Sequence, residues 1–219
     1  MAAIIGVIQA KGGVGRSTIT TNLAGTFSLH APTVLIDCDL PQGTSSSWFA
    51  LRQADLPTAN LSLALARDCR ELVAVTKQFF PTHQYIFIDG PPRLAEMTRA
   101  ILMLSTLCLV PLGASAAELW STADLLQTIT EAGVLRKDLD VRLVWNRFRG
   151  QTREARDLRA AVNRELPLAE LRTTLSYRVA YSEAMARGLT ADEWLDQVAH
   201  EEVRSLAAEI KEIVGERTP

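Results

Sequence analysis

Little in this chain could build a metal centre, a membrane anchor or a disulfide framework. Its three cysteines, Cys38, Cys69 and Cys108, stand at no metal-ligand spacing. Two of them fall in strand-like apolar runs, so buried, reduced thiols in a cytoplasmic protein are expected. No apolar run reaches the roughly 20 residues that a bilayer span needs. The N-terminus enters a strand-like segment at once, and no secretion signal is expected. Neither charge dominates: the formal net charge is −2, which argues against a protein that coats nucleic acid with its whole surface and leaves room for a local basic patch. Low-complexity tracts, linkers and internal repeats are missing too. What is present is 47% hydrophobic and 22% charged, a globular balance, in 219 residues that fit one α/β domain over 1–219.

Short runs rich in β-branched residues alternate with helix-length segments. Strands are expected at 3–9, 33–37, 84–89, 106–112 and 140–146, each a continuous apolar run of the kind a sheet covered on both faces requires. Helices are expected near 16–29, 70–80, 94–104, 116–132, 151–165, 177–187 and 195–214. The alternation predicts a doubly wound, mostly parallel sheet flanked by helices, with ligands at the C-terminal strand ends. The stretch 49–68 carries no readable pattern.

Between the first strand and the first helix lies Lys11-Gly12-Gly13-Val14-Gly15-Arg16-Ser17-Thr18. Strand, glycine-rich turn and helix are the context of a phosphate-binding loop. Glycines let the backbone curl round a polyphosphate with its N–H groups inward, and the helix adds the positive end of its dipole. Ser17 then offers a hydroxyl to Mg²⁺. The general pattern is G-x-x-x-x-G-K-[ST]; here Ala10 replaces the first glycine and Arg16 the phosphate-binding lysine.

The second strand ends in Asp37-Cys38-Asp39-Leu40-Pro41-Gln42-Gly43. Carboxylates at i and i+2 point the same way from a sheet edge, where they hold Mg²⁺ through water or orient an attacking water. The third strand, Tyr85-Ile86-Phe87-Ile88, ends in Asp89-Gly90-Pro91-Pro92, a Walker B pattern with a turn fit to sense a γ-phosphate. A later strand ends in Trp145-Asn146-Arg147. Asn146 reads equally as an amide for an adenine edge and as a turn-forming residue.

The loop from Lys11 to Thr18 resembles the deviant Walker A loop of the ParA/MinD family, K-G-G-x-G-K-[ST], with Arg16 as the departure. Asp37-Cys38-Asp39 resembles that family's D-x-D-P-Q segment with Leu40 inserted after Asp39. Asn146-Arg147, and 172–188 with its Arg178, are similar to its segments around the base. The resemblance covers nearly the whole chain and implies a P-loop ATPase of the small ParA-like group, which includes plasmid-partition proteins and McdA-like proteins that space carboxysomes. It implies ATP and Mg²⁺ as cofactors, with Gly12, Gly13, Val14, Gly15, Arg16, Ser17, Thr18, Asn146 and Arg147 on the nucleotide. Ser17, Asp37, Asp39 and Asp89 would serve the metal, and Lys11, Asp39 and Arg16 catalysis, Lys11 by crossing to the other subunit. The implied behaviour is an ATP-bound homodimer on nonspecific DNA, nucleoid-associated, released when a cargo-linked partner or small basic adaptor stimulates hydrolysis. The cargo would be a plasmid, a chromosome or a carboxysome.

The arginines of 147–187 are the dense basic region. Arg149, Arg153 and Arg156 nearly share one helical face, which reads equally as a solvated face or, with Arg178, as a DNA contact. The C-terminal helix has Val203, Leu206, Ala207, Ile210, Ile213 and Val214 at helical spacing, and its polar face is acidic on balance. It is expected to pack on the sheet rather than bind lipid, which disfavours a MinD-like membrane ATPase. A cluster-holding reductase of the same superfamily would need cysteine ligands that Cys108 poorly supplies. A nucleotide-binding scaffold with little turnover, because of Arg16 and Leu40, is the main non-enzyme alternative.

Overall fold

Among the described residues, seven strands form one wholly parallel sheet in the order β3-β2-β4-β1-β5-β6-β7. The computed structural model describes residues 2–92, 95–113 and 115–215. In chain order the elements are β1 (Ala3–Val7), α1 (Arg16–Ser28), β2 (Thr33–Asp37), α2 (Thr44–Asp55), β3 (Leu61–Leu65), α3 (Cys69–Phe79), β4 (Tyr85–Asp89) and α4 (Ala95–Leu104). They continue as β5 (Leu107–Leu112), α5 (Ala116–Leu135), β6 (Asp140–Trp145), α6 (Arg153–Glu165), β7 (Ala169–Glu170), α7 (Ala180–Met185) and α8 (Gln197–Gly215).

The apolar runs are continuous because both faces of the sheet are covered. Ile5, Val7, Leu35 and Phe87 face one hydrophobic cluster, which they share with α1 and α8. Ile4, Ile8, Ile36, Ile86 and Ile88 face a second, with side chains from α3, α4, α5 and α6. Alternate residues along each strand point to opposite faces, so a strand between two helical layers must be apolar at every position. Cys38 and Cys108 are buried free thiols.

The expected strands and helices are present, with three differences. The stretch without a readable pattern contains the end of α2 and the whole of β3. β3 is an edge strand whose residues after Leu61 are only partly buried, so its sequence carries a weak apolar run. β7 has two residues and no pattern to read. The helix expected at 177–187 is the shorter α7, and position 94, where another was expected to start, lies outside the described residues. No described helix is long and apolar enough to cross a membrane.

The chain leaves β1 for β2 on one side of the sheet, returns through β4, and crosses to β5 on the other side of β1. The C-terminal end of β1 is therefore the point where strand order reverses, the usual place for a ligand crevice in such sheets. The glycine-rich loop begins there.

Candidate functional site

The loop from Gly12 to Thr18 bends back on itself before α1. Gly13 (φ 77) and Gly15 (φ 92) take left-handed backbone, and Gly15 is the residue from which α1 starts. A Cβ on Gly15 would come within 2.0 Å of Asn146 Nδ2, so the position excludes a side chain on two grounds. Asn146, buried at the end of β6, donates from Nδ2 to the Val14 carbonyl at 2.7 Å. Arg147 donates from Nη1 to the Gly13 carbonyl, also at 2.7 Å. The Asn-Arg pair after β6 thus fastens the outer side of the loop.

A cavity of about 410 Å³ opens over this loop. Gly12, Gly13, Gly15, Arg16, Ser17 and Thr18 line it from below, Asp39, Gln42 and Thr44 from the β2 side, and Pro92 and Arg147 close it. Asp39, two residues past the end of β2, reaches this cavity despite the inserted Leu40; the extra residue is taken up in the turn, where the Asp39 carbonyl accepts from Gln42 and Gly43 N–H before α2 starts. Burial raises the Asp39 carboxyl above its usual range, partly offset by Arg16. A second cavity of about 410 Å³ shares Thr18 and Arg147 with the first and is walled by Asn146, Ser176, Tyr177, Val179, Tyr181 and Met185. One cavity is lined by the glycine loop and the Asp39 carboxylate, the other by rings and apolar stems, which suits a phosphate chain joined to a flat base.

The two other carboxylates are not equivalent. Asp37 is wholly occupied: Oδ1 accepts from Asp39 N, and Oδ2 accepts from Ser46 N and the Ser46 hydroxyl. It shapes the turn into α2. Asp89 accepts the Ser45 hydroxyl on Oδ2 at 2.6 Å, while its buried Oδ1 has no hydrogen-bond partner. Burial pushes Asp89 up to about 6, against the pull of the Ser45 and Ser17 hydroxyls. An orphaned carboxylate oxygen beside the loop serine fits Mg²⁺ held through its waters. Among the described residues, no three His, Cys, Asp or Glu side chains gather into a group that would hold a metal alone. Magnesium bound chiefly by phosphate, one serine and water needs no such group.

Arg16 lines the loop cavity, but backbone carbonyls of the surrounding loops hold its guanidinium. Its Nε donates to the Gly90 carbonyl at 2.8 Å, and its Nη1 to the carbonyls of Gln9 at 2.8 Å and Lys11 at 2.6 Å. Nη2 is 3.9 Å from Asp39. Lys11 is half-buried at the rim of the loop.

The arginines expected on DNA separate into two settings. Arg153 and Arg156 are exposed on α6, Arg153 beside Asp157 at 3.6 Å. Arg178 lies elsewhere: it lines the second cavity and holds both Asp196 oxygens, at 2.9 and 2.8 Å. Arg149 precedes α6 and stacks on Tyr177.

Several supports went unread in the sequence. Ser45 and Ser46 on α2 hold Asp89 and Asp37. Two acidic residues of α8 face inward: Glu209 accepts from the backbone N–H of Arg172 and Thr173, and Glu202 from Ser176 N and the Tyr181 hydroxyl. Glu202 thereby fixes part of the wall of the second cavity. A carboxylate buried on an otherwise apolar helix face was the available signal.

Comparison with known proteins agrees with this geometry. The family described as the CobQ/CobB/MinD/ParA nucleotide binding domain matches residues 5–191. Maintenance of carboxysome distribution protein A from Halothiobacillus neapolitanus is 27% identical over 221 residues, covering 100% of this chain and 97% of that protein. Among solved structures, the ATP complex of a Cyanothece McdA variant superposes with a TM-score of 0.77 at 17% identity, covering 98% of this chain and 96% of that one. MinD of Pyrococcus horikoshii, complexed with Mg-ADP, gives 0.74 at 19% identity, covering 100% and 99%. A parallel sheet with a glycine loop at its switch point, matched along most of its length, makes this chain a member of the CobQ/CobB/MinD/ParA nucleotide-binding family.

Proposed function

We propose that the protein is a ParA-type ATPase that dimerises with ATP, binds DNA without sequence preference and positions an intracellular cargo, with hydrolysis stimulated by a cargo-linked partner. The observation that carries the ATPase reading is the loop cavity, lined by the glycine loop, Ser17 and Asp39, with the buried Oδ1 of Asp89 left without a partner near Ser17. The loop amides and the start of α1 bind the phosphates. Ser17 and, through water, Asp89 would hold Mg²⁺, which when bound would supply positive charge against the phosphate oxygens. Asp39 orients the attacking water, and its raised pKa suits a group that shares a proton with that water. The likeness to the Halothiobacillus protein supports a carboxysome as the cargo. The exposed Glu201 and Glu212 of α8 offset its exposed Arg204 and Lys211, so the helix offers no basic excess to an anionic membrane.

The test is ATP hydrolysis with and without Mg²⁺ by the full chain, beside Asp39→Ala. Magnesium-dependent turnover that the variant lacks supports the reading. Turnover unchanged by the substitution would remove Asp39 from it. A second reading is a nucleotide-binding scaffold with negligible turnover, favoured by the three backbone carbonyls that hold Arg16. Tight ATP binding without hydrolysis, even with partner present, would select it.

A further inference from the structure

We propose that Arg147, rather than Arg16, is the guanidinium that receives the phosphate charge of the bound nucleotide. This rests on the reading of the loop cavity as a phosphate site and assigns a residue within it.

Arg16 stands where a P-loop places its cation, but it is already committed. Its Nε and Nη1 serve three backbone carbonyls from two different loops, and Nη2 faces Asp39. Its charge lies in the field of Asp39 and Asp89. Turning it toward a phosphate would take the donor from the buried carbonyls of Gly90 and Gln9, and an orphaned buried acceptor carries its full desolvation penalty.

Arg147 differs in each respect. It is exposed, and among the described residues no carboxylate pairs with it. It borders the loop cavity, the cavity beside Asn146, and a third of about 310 Å³ next to Val14. One of its donors is on the Gly13 carbonyl, so the guanidinium already lies along the glycine loop, with the rest of its fork uncommitted among the described residues. A planar fork with several N–H groups is the side chain best matched to phosphate oxygens.

The backbone gives an independent argument. Arg147 has φ 53, and it is the non-glycine residue with positive φ among those described. That conformation is unfavourable for an arginine, and strain of this kind persists where the surroundings impose it. Here they do: Asn146 on one side is tied to Val14, and Phe148 N on the other donates to the Leu175 carbonyl. Glycine would meet the backbone requirement more easily, so an arginine here points to a use for its side chain.

The experiment measures binding of inorganic tripolyphosphate, then of ATP, by calorimetry, with melting temperature recorded without ligand. Arg147→Gly removes the side chain and relaxes the backbone. Arg149→Gln removes a like charge from the neighbouring cavity and leaves the loop cavity intact. The expected result is that Arg147→Gly melts no lower than wild type without ligand but binds tripolyphosphate about tenfold or more weakly. Arg149→Gln should stay within about twofold, since an exposed charge farther away is screened. Arg147→Lys should recover part of the loss and not all of it. Where the glycine variant fails to fold, Arg147→Gln is read in the same way. Full tripolyphosphate affinity in the Arg147 variant, or equal losses in the Arg147 and Arg149 variants, overturns the assignment while the phosphate site stands. A wild-type chain that binds neither ligand overturns both.

Discussion

The Nε of Arg16 donates to the carbonyl of Gly90 across 2.8 Å, joining the loop after β1 to the turn after β4. Those are the two segments that would meet the β- and γ-phosphates of a nucleotide. A single side chain therefore ties the glycine loop to the turn after β4, which in the proposed reading are the phosphate cradle and the turn that senses the last phosphate.

The first prediction concerns Arg16→Lys. An ammonium on a flexible stem cannot reproduce a fork that serves Gly90, Gln9 and Lys11 at once, so at least one buried carbonyl loses its donor. Stability without nucleotide should fall by about 1–3 kcal/mol, read by urea denaturation. Turnover should rise, because the lysine is released from the loop carbonyls and reaches the phosphates as a compact charge, while ATP affinity changes little. Equal hydrolysis rates in the two proteins would show that Arg16 does not limit the chemistry.

The second concerns acid stability. Arg52 is fully buried on α2, held by the Glu193 carboxylate at 2.7 and 2.9 Å and by the Gly188 carbonyl at 3.1 Å. Burial acts to raise Glu193, but hydrogen bonds from Arg52 and Thr190 outweigh it and hold the carboxyl below the usual carboxylate range. A depressed acid contributes stability that is fully present above the unfolded pKa and is lost as pH falls through the folded one. Glu193→Gln strands a buried guanidinium, so at pH about 7 it should cost about 3–5 kcal/mol. That difference from wild type should shrink as pH falls below 4.5. A difference independent of pH would show that the glutamine replaces the carboxylate equally at all pH values, and that charge plays no part.

The sheet was legible wherever a strand is buried on both faces, because burial forces an unbroken apolar run. Leu61–Leu65 escaped because an edge strand is half-covered, and α2 escaped because its apolar face is little more than Trp48. The loop from Gly12 to Thr18 was legible because its chemistry is local in sequence. Asp37 and Asp89 were found by the same local signal, yet only the structure separates a carboxylate used up by Ser46 from one with a bare oxygen. The placement of Arg178 beside Asp196, far from Arg153 and Arg156 in role, depends on a contact with a turn 18 residues on that no spacing rule announces.

The third prediction is that Lys11 controls association. Its carbonyl is fixed by Arg16, so the loop path is held through backbone and Lys11→Ala should leave the fold intact. A cation that reaches a second subunit's triphosphate gains most when the nucleotide is present. Light scattering should show a monomer or loose dimer without nucleotide and a dimer with ATP and Mg²⁺, while Lys11→Ala stays monomeric. An ATP dimer that survives the substitution would remove Lys11 from the interface.

The last prediction concerns DNA. The chain carries a formal charge of −2, so any contact with DNA must come from a patch. Arg153 and Arg156 on α6 are exposed and at most weakly paired, as phosphate contacts should be. One subunit offers few such contacts, and a two-fold dimer doubles them along one duplex, so DNA affinity should rise steeply with ATP-driven dimerisation. Binding should be independent of sequence, should require ATP, and should weaken with salt at a slope near −0.9 per phosphate neutralised. Replacing Arg153 and Arg156 by Gln should weaken it evenly across sequences and flatten that slope, with ATP dimerisation unchanged. Arg178→Gln should behave differently, because it breaks the hold on Asp196 at the wall beside Asn146 and should act first on nucleotide affinity. Filter binding over a range of salt separates the cases. If Arg178→Gln flattens the salt slope while nucleotide affinity is unchanged, that arginine belongs to the DNA face. If the doubly substituted protein keeps its full slope, α6 does not touch DNA.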